Sequence, residues 1–132
     1  MEKLKGRILC VDDDRDTCEM ITALLGYAGY EVSHACSVAE GLSLAKSGGF
    51  DLILLDWYFD DGTGIDLCRM IRTFDVNIPI LFYSGVANES DIKRAMSFGA
   101  QGFLVKPLGT ENIVETVSRF VGNNIGQGQH AG

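Results

Sequence analysis

Short apolar runs alternate along the chain with segments whose apolar residues recur at helical spacing. The clearest run, residues 52–55, consists of Leu and Ile only and ends directly in an aspartate. Runs of this kind are typical of strands that are buried on both faces, as in a parallel sheet. We therefore predict five strands, over residues 8–11, 31–35, 52–55, 80–83 and 102–105.

The segments between and after these runs are predicted to be helices. Strands that alternate with helices form right-handed βαβ units, in which a parallel sheet is covered by helices on both faces. The predicted fold class is therefore α/β, a doubly wound five-stranded sheet. A helix is expected over residues 89–98. The apolar stripes of the others are Cys18, Ile21, Leu24, Leu25 and Ala28; Val38, Leu42 and Ala45; Ile65, Leu67, Cys68 and Ile71, with Met70 as a further candidate; and Ile113, Val114, Val117, Phe120 and Val121.

Polar residues mark several of the predicted helix starts. Ser37 and Glu40 have the spacing of a capping box, in which each side chain bonds a backbone amide of the other residue. Asn88 is expected to cap the fourth helix. On the third helix, Arg69 and Arg72 are expected to face solvent.

Length and composition fit one domain. The chain has 132 residues, of which 46% are hydrophobic, and this is enough for one ordinary core. We place the domain at residues 1–121, with its last helix from about residue 110 to 121. Residues 122–132 are rich in Gly and Gln and lack periodicity, so they are predicted to form a flexible tail.

Charge and cysteine content exclude several classes of function. The formal net charge is −7, whereas a nucleic-acid-binding surface needs Lys and Arg to neutralise phosphates, so no nucleic-acid partner is expected. The four cysteines are widely spaced and indicate neither a zinc site nor a disulfide framework. No apolar run fits a signal peptide or a membrane span, and we expect a reduced, cytoplasmic protein without membrane contact.

Chemically active residues follow four of the predicted strands. Asp12 and Asp13 follow the first strand, Asp56 the third, Ser84 the fourth and Lys106 the fifth. The carboxyl ends of parallel strands meet at one edge of the sheet, where α/β proteins bind their ligands. We therefore expect these side chains to converge.

Converging carboxylates need cations. Two like charges about 4 Å apart repel by roughly 4 kcal/mol at an effective dielectric constant of about 20. A hard divalent cation such as Mg²⁺, held by Asp12, Asp13 and Asp56, together with Lys106 would offset that repulsion. The chemistry that suits this set is phosphoryl transfer onto the Asp56 carboxylate, with Ser84 donating a hydrogen bond to the bound group.

The whole pattern resembles the receiver domain of two-component response regulators. That resemblance implies the flavodoxin-like (βα)5 fold with sheet order 2-1-3-4-5. It covers nearly the whole chain and rests on four motifs in the family's order and spacing: Val11-Asp-Asp13, Leu52-Ile-Leu-Leu-Asp56, Ser84-Gly85 and Phe103-Leu-Val-Lys106-Pro107.

The resemblance also implies roles for individual residues. Asp56 would be the phospho-acceptor and Lys106 the lysine that pairs with the phosphoryl group. Asp12, Asp13, Asp56 and the backbone carbonyl of Tyr58 would hold Mg²⁺.

A switch and its partners follow from the same resemblance. The Ser84 hydroxyl would move toward the phosphate, and Phe103 would swing inward into the space left behind. The surface around the fourth helix, fifth strand and fifth helix would then change its affinity for a downstream protein. The phosphoryl donor would be a histidine kinase or a histidine phosphotransfer protein. The domain would be a monomer or weak homodimer and not an enzyme, apart from its own phosphorylation and autodephosphorylation.

The loop after Asp56 departs from the family pattern. A proline is common four residues after the acceptor, and Asp60 stands there instead, while the glycine expected further along is kept as Gly64. The Asp60-Asp61 pair is interpreted as a solvated loop. The alternatives are that it perturbs the pKa of Asp56 or binds a second cation.

Two bulky residues near the predicted acceptor bear on how long a phosphoaspartate survives. Tyr58 and Val86 lie two positions beyond Asp56 and Ser84, where they would limit the approach of water. The hypothesis is a longer lifetime than in a variant carrying Tyr58→Asn and Val86→Glu.

Two other functions compete with the switch. One is a constitutive protein-interaction module of the same fold, in which the acidic residues only cap helices. The other is a phosphatase or phosphotransferase that acts on small molecules through an aspartyl phosphate. The second needs a lid or a second domain to shape a substrate pocket, for which this chain has no room.

Overall fold

A computed structural model describes residues 4–85, 88–106 and 109–131, with only the backbone described for 110, 111 and 123–131. The strands are β1 (Gly6–Val11), β2 (Tyr30–Ala35), β3 (Leu52–Leu55), β4 (Tyr58–Phe59), β5 (Gly62–Thr63), β6 (Ile80–Ser84) and β7 (Gly102–Val105). The helices are α1 (Arg15–Tyr27), α2 (Val38–Ser47), α3 (Gly64–Arg72), α4 (Glu89–Ser97) and α5 (Thr110–Ala131).

Five of the strands form one parallel sheet in the order β2-β1-β3-β6-β7. Counted without the short pair β4 and β5, this is the predicted order 2-1-3-4-5, and the predicted α/β fold is confirmed. Strands β4 and β5 form an antiparallel hairpin between β3 and α3. The sequence pattern predicted only a loop there.

The sheet is buried on both faces, which explains its continuous apolar runs. Leu9, Val11, Ile53 and Leu55 belong to the core cluster that includes α2, α3 and α4 side chains. The alternate residues Ile8, Cys10, Leu52 and Leu54 belong to the cluster under α1 and α5. Successive side chains of a strand point to opposite faces, so strands covered by helices on both sides need apolar residues at every position.

The helix starts confirm some of the predicted caps and change one. The Ser37 hydroxyl accepts a hydrogen bond from the Glu40 amide at 3.0 Å, and Asn88 caps α4 in the same way. The Glu40 carboxylate, however, accepts from the amide of Cys36 rather than that of Ser37. The predicted box is therefore half formed, whereas a complete capping box that was not predicted opens α3, between Thr63 and Asp66.

Arg72 does not face solvent as predicted. Its guanidinium donates to the Gly99 carbonyl oxygen at 2.6 and 3.1 Å and to the Gln101 side chain at 2.9 Å. Partial burial lowers the pKa of Arg72. The prediction was wrong because these carbonyl and amide acceptors come from the turn before β7, which the spacing within one helix cannot reveal.

The last helix is longer than predicted. It was expected to end near residue 121, where the apolar stripe stops, but the helical backbone continues to Ala131. Helical hydrogen bonds form between nearby residues and do not require an apolar stripe. The flexibility of residues 122–132 stays a prediction.

The cysteines and the helices were both subjects of the sequence predictions. All four cysteines are free thiols, three of them buried and Cys36 exposed. Among the described residues, no helix combines the length and apolar character needed to cross a membrane.

The start of α3 leaves no room for a side chain at Gly64. A Cβ atom there would collide with the backbone carbonyl oxygen of Asp56 and would lie 2.7 Å from Cε1 of Phe82. We expect Gly64→Ala to lower the free energy of unfolding by about 1–3 kcal/mol, the usual cost of overpacking. Urea unfolding followed by circular dichroism measures this.

Gly26, in α1, is the control for that substitution. A Cβ atom there would have nothing within 4 Å, so Gly26→Ala should raise stability by about 0.5–1 kcal/mol through helix propensity alone. Equal stability of the Gly64→Ala variant and the unmodified protein would contradict the predicted clash.

Candidate functional site

Two adjacent strands deliver two carboxylates to the same edge of the sheet. Val11 and Leu55 are register partners at the ends of β1 and β3, so Asp12 and Asp56 follow directly from neighbouring positions. The Asp56 amide donates to the Val11 carbonyl oxygen at 2.9 Å, which extends the strand pairing to the carboxylate itself. The strand register thus determines where both acids lie.

Asp13 completes a cluster of three acids. One carboxylate oxygen from each of Asp12, Asp13 and Asp56 can be chosen so that all lie within 4.8 Å of one another. Asp12 is buried, Asp56 is half-buried and Asp13 is exposed, so the cluster leads from the interior to solvent. Clustered carboxylate oxygens are the donors that a hard divalent cation such as Mg²⁺ prefers.

Lys106 brings a cation to this cluster. Its Nζ lies 2.9 Å from Oδ2 of Asp12 and 3.5 Å from Oδ2 of Asp56, and it stands 5.3 Å from the centre of the Tyr83 ring. The Lys106 amide donates to the Ser84 carbonyl oxygen at 2.9 Å, which continues the pairing of β7 with β6. The structure therefore brings together four of the predicted site side chains.

Burial and neighbouring charges shift the pKa values of Asp12 and Lys106. Burial raises the pKa of Asp12, and the nearby charge of Asp56 adds to this, against the opposite effects of Lys106 and of the Asp14 amide. Burial alone would lower the pKa of Lys106, but its hydrogen bond to Asp12 and the two carboxylate charges outweigh it and raise that pKa. Lys106 therefore stays protonated, while ionised Asp12 gains from any further cation.

The Asp56 carboxylate is oriented by its own neighbour. Its Oδ1 accepts a hydrogen bond from the Trp57 amide at 2.8 Å. The Trp57 ring is buried and lies 5.3 Å from the Phe82 ring and 6.0 Å from the Phe103 ring, measured between centroids. Phe103 is thus half-buried in an aromatic cluster that begins at the residue next to Asp56.

The remaining predicted residues lie around the cluster. Ser84 is buried, with 2% of its surface exposed, at the end of β6. Tyr58 is in β4, two residues after Asp56, and is 60% exposed. Val86 and Pro107 lie outside the described residues. His34 is an exposed residue of β2.

The acidic pair after β4 divides into two different environments. Asp60 is exposed, as expected of a solvated loop. Asp61 is also exposed, but it accepts hydrogen bonds from the amides of Val38 at 2.9 Å and Ala39 at 3.0 Å, one on each carboxylate oxygen. These bonds hold the pKa of Asp61 below its usual value. Asp61 is exposed, as the solvated-loop interpretation predicted, but its bonds to α2 were not predicted, because they join residues more than twenty positions apart.

Comparison with known proteins agrees with this geometry. The family model described as the response regulator receiver domain matches residues 8–118. The cell cycle response regulator CtrA of Brucella ovis is 30% identical over 123 residues, which are 93% of this chain and 53% of that protein. The chain therefore spans about half the length of the curated relatives that it matches.

Solved structures give the same result. A two-component response regulator from Clostridium difficile has a TM-score of 0.84 at 29% identity, covering 87% of this chain and 94% of that one. The non-phosphorylated HemR receiver domain from Leptospira biflexa has a TM-score of 0.82 at 31% identity, covering 87% and 93%. A CheY-like receiver domain from Methanospirillum hungatei, 24% identical with 96% and 99% covered, shares the fold with a TM-score of 0.89. The chain belongs to the response regulator receiver domain family.

Proposed function

We propose that this receiver domain is a signalling switch in which Asp56 accepts a phosphoryl group from a histidine kinase or a histidine phosphotransfer protein. Receiver domains in general are phosphorylation-operated signalling domains rather than enzymes with a separate substrate. The observation that carries the proposal is the position of Lys106, whose ammonium lies against both Asp12 and Asp56 at the edge of an acidic cluster.

The acidic cluster fits Mg²⁺, which receiver domains bind. It supplies three carboxylates but only one basic side chain in contact with them within the described residues, so a divalent cation would complete the balance of charge. Asp12, Asp13, Asp56 and the backbone carbonyl of Tyr58 would hold the ion. The bound ion would supply positive charge to the oxygens of the transferring phosphoryl group.

The protein's own groups prepare Asp56 for the transfer. The Trp57 amide restricts rotation of the carboxylate, and Lys106 lies close enough to neutralise charge on an incoming phosphoryl group. An Asp56 oxygen forms the new bond to phosphorus as the bond between phosphorus and the donor histidine nitrogen breaks. The product is an acyl phosphate on Asp56 and a free histidine on the donor.

The response to phosphate would start from Ser84 and Phe103. Ser84 ends the strand beside β7, and Phe103 stacks on Phe82 with centroids 5.8 Å apart. We propose that the Ser84 hydroxyl turns toward the phosphoryl group and that Phe103 then moves further inward. The packing of Phe103 against Trp57 supports this, because it connects the switch aromatic with the residue next to Asp56.

The output would be a changed surface around α4, β7 and α5 that binds a downstream protein. Met96 of α4 and Val105 of β7 are exposed apolar residues on these elements, 45% and 41% accessible. The acidic charge of the chain supports a protein target over nucleic acid. We keep as proposals a cytoplasmic location and a monomer or weak homodimer.

The first prediction of this function is a single phosphoryl adduct that needs both Asp56 and Mg²⁺. Incubation with acetyl phosphate and Mg²⁺ should add one phosphoryl mass to the intact protein. Asp56→Asn removes the acceptor, and chelation removes the cation, so neither sample should gain mass. An adduct that persists in Asp56→Asn, or no adduct at all, would favour a constitutive interaction module and overturn the proposal.

The second prediction concerns the lifetime of the phosphoaspartate. The Tyr58 side chain is exposed two residues after Asp56, and we propose that it obstructs water, so the phosphoaspartate of the Tyr58→Asn variant should be hydrolysed several-fold faster. The decay of the phosphorylated mass after removal of donor measures the rate. Tyr27→Asn is the control, because Tyr27 is 97% exposed at the end of α1. Equal rates for all three proteins would refute shielding by Tyr58.

A further inference from the structure

The β4–β5 hairpin carries Tyr58 and has little structure of its own. It consists of two residue pairs, Tyr58 with Thr63 and Phe59 with Gly62. Isolated two-stranded hairpins are marginal in water, and this one is far shorter than a typical strand pair. The conformation of Tyr58 must therefore be maintained by contacts between the hairpin and its surroundings.

Both ends of the segment are fastened to neighbouring elements. Before the hairpin, the Asp56 amide bonds to the last residue of β1. After it, the Gly64 amide donates to the Trp57 carbonyl oxygen at 2.7 Å, and Thr63 forms the capping box of α3. These bonds fix where the segment leaves the sheet and enters α3, and Phe59 of β4 is buried in the core, but none of these contacts ties the turn at residues 60 and 61 to another element.

Asp61 supplies the support at the tip. Its carboxylate bridges the amides of Val38 and Ala39, the first two residues of α2, while Ser37 bonds the amide of Glu40. An anion bound by unpaired amides at a helix N-terminus is also favoured by the helix dipole. Within the described part of the chain, the Asp60 side chain makes no hydrogen bond or ion pair, so this support belongs to Asp61.

Helix α2 is a firm support because it packs closely on the rest of the domain. A Cβ atom on Gly41 would lie 2.9 Å from Cδ2 of Leu67 in α3 and 3.0 Å from Cγ1 of Val11 in β1. The helix therefore contacts both the strand that leads to Asp12 and the helix that follows the hairpin. Through Asp61, the tip of the hairpin is bonded to a helix that packs on both β1 and α3.

We propose that Asp61 is a positioning residue that holds the Tyr58 backbone carbonyl where it can bind the metal ion, by fastening the tip of the hairpin to α2. This inference rests on the proposed function, in which Tyr58 supplies a metal ligand. Asp61 itself binds no metal and acts only through the hairpin.

The test compares Mg²⁺ binding by two variants of the unphosphorylated chain that lose the same charge from the same loop. Asp61→Asn replaces one of the two acceptor oxygens with an amide group that cannot accept from α2, whereas Asp60→Asn breaks no hydrogen bond among the described residues. Titration with Mg²⁺, followed by Trp57 fluorescence and by calorimetry, gives both affinities. We expect about tenfold weaker binding for Asp61→Asn, the low end of what outer-shell substitutions cost at metal sites. Asp60→Asn should match the unmodified protein.

A third variant separates positioning from a general weakening of α2. Ser37→Ala removes a different side-chain bond at the same helix N-terminus without touching the hairpin. It should lower the unfolding midpoint and leave Mg²⁺ affinity unchanged. If Ser37→Ala or Asp60→Asn weakens Mg²⁺ binding as much as Asp61→Asn does, the positioning role is overturned.

Phosphorylation by acetyl phosphate adds a readout that a folding defect would not produce. The Asp61→Asn variant should be slow at limiting Mg²⁺ and reach the rate of the unmodified protein at saturating Mg²⁺. A defect that persists at saturation contradicts the inference.

Mg²⁺ binding that is unchanged in Asp56→Asn would overturn the proposed function itself, whereas equal affinities of Asp61→Asn and Asp60→Asn would overturn the positioning role alone.

Discussion

Mutual repulsion of three carboxylates at one edge of the sheet is the constraint on which the site depends. Parallel pairing of β1 with β3 places Asp12 beside Asp56, and the buried position of Asp12 leaves it little water to screen its charge. Lys106, which follows β7 at the other end of the sheet, forms an ion pair with Asp12 and offsets that charge. The sheet must therefore keep its register across β3 and β6, because a slip of one residue would turn Lys106 or the acids toward the other face.

The sheet and the residues at its edge could be predicted from the sequence because each depends on a local pattern. Strands covered on both faces need apolar residues at every position, and the run over Leu52–Leu55 shows this directly. Once the strands are parallel, their carboxyl ends share one edge, so Asp56 and Lys106 could be placed near each other without any knowledge of distance. The roles of these residues stay predictions until phosphorylation is measured.

The features that escaped prediction depend on contacts between distant segments. Asp61 looks like an ordinary loop residue until α2 is folded beside it, and Arg72 looks like a surface arginine until the turn before β7 lies under it. The β4–β5 hairpin is too short to show alternation, although Thr63 and Asp66 have the spacing of a capping box and could have revealed the start of α3. The end of α5 was misplaced because an apolar stripe indicates where a helix packs and not where its backbone stops.

Trp57 connects the acidic cluster with the aromatic cluster, the first through its backbone and the second through its side chain. Its amide holds the Asp56 carboxylate, while its indole ring packs on Phe82 and Phe103. The intrinsic fluorescence of this single tryptophan therefore sums two signals: the electric field from the acids behind its backbone, and the packing of the rings in front of its side chain. Quenching of the emission would report the chemistry at the sheet edge. Fluorescence anisotropy, which reports the mobility of the ring, would follow the rearrangement of the aromatic cluster.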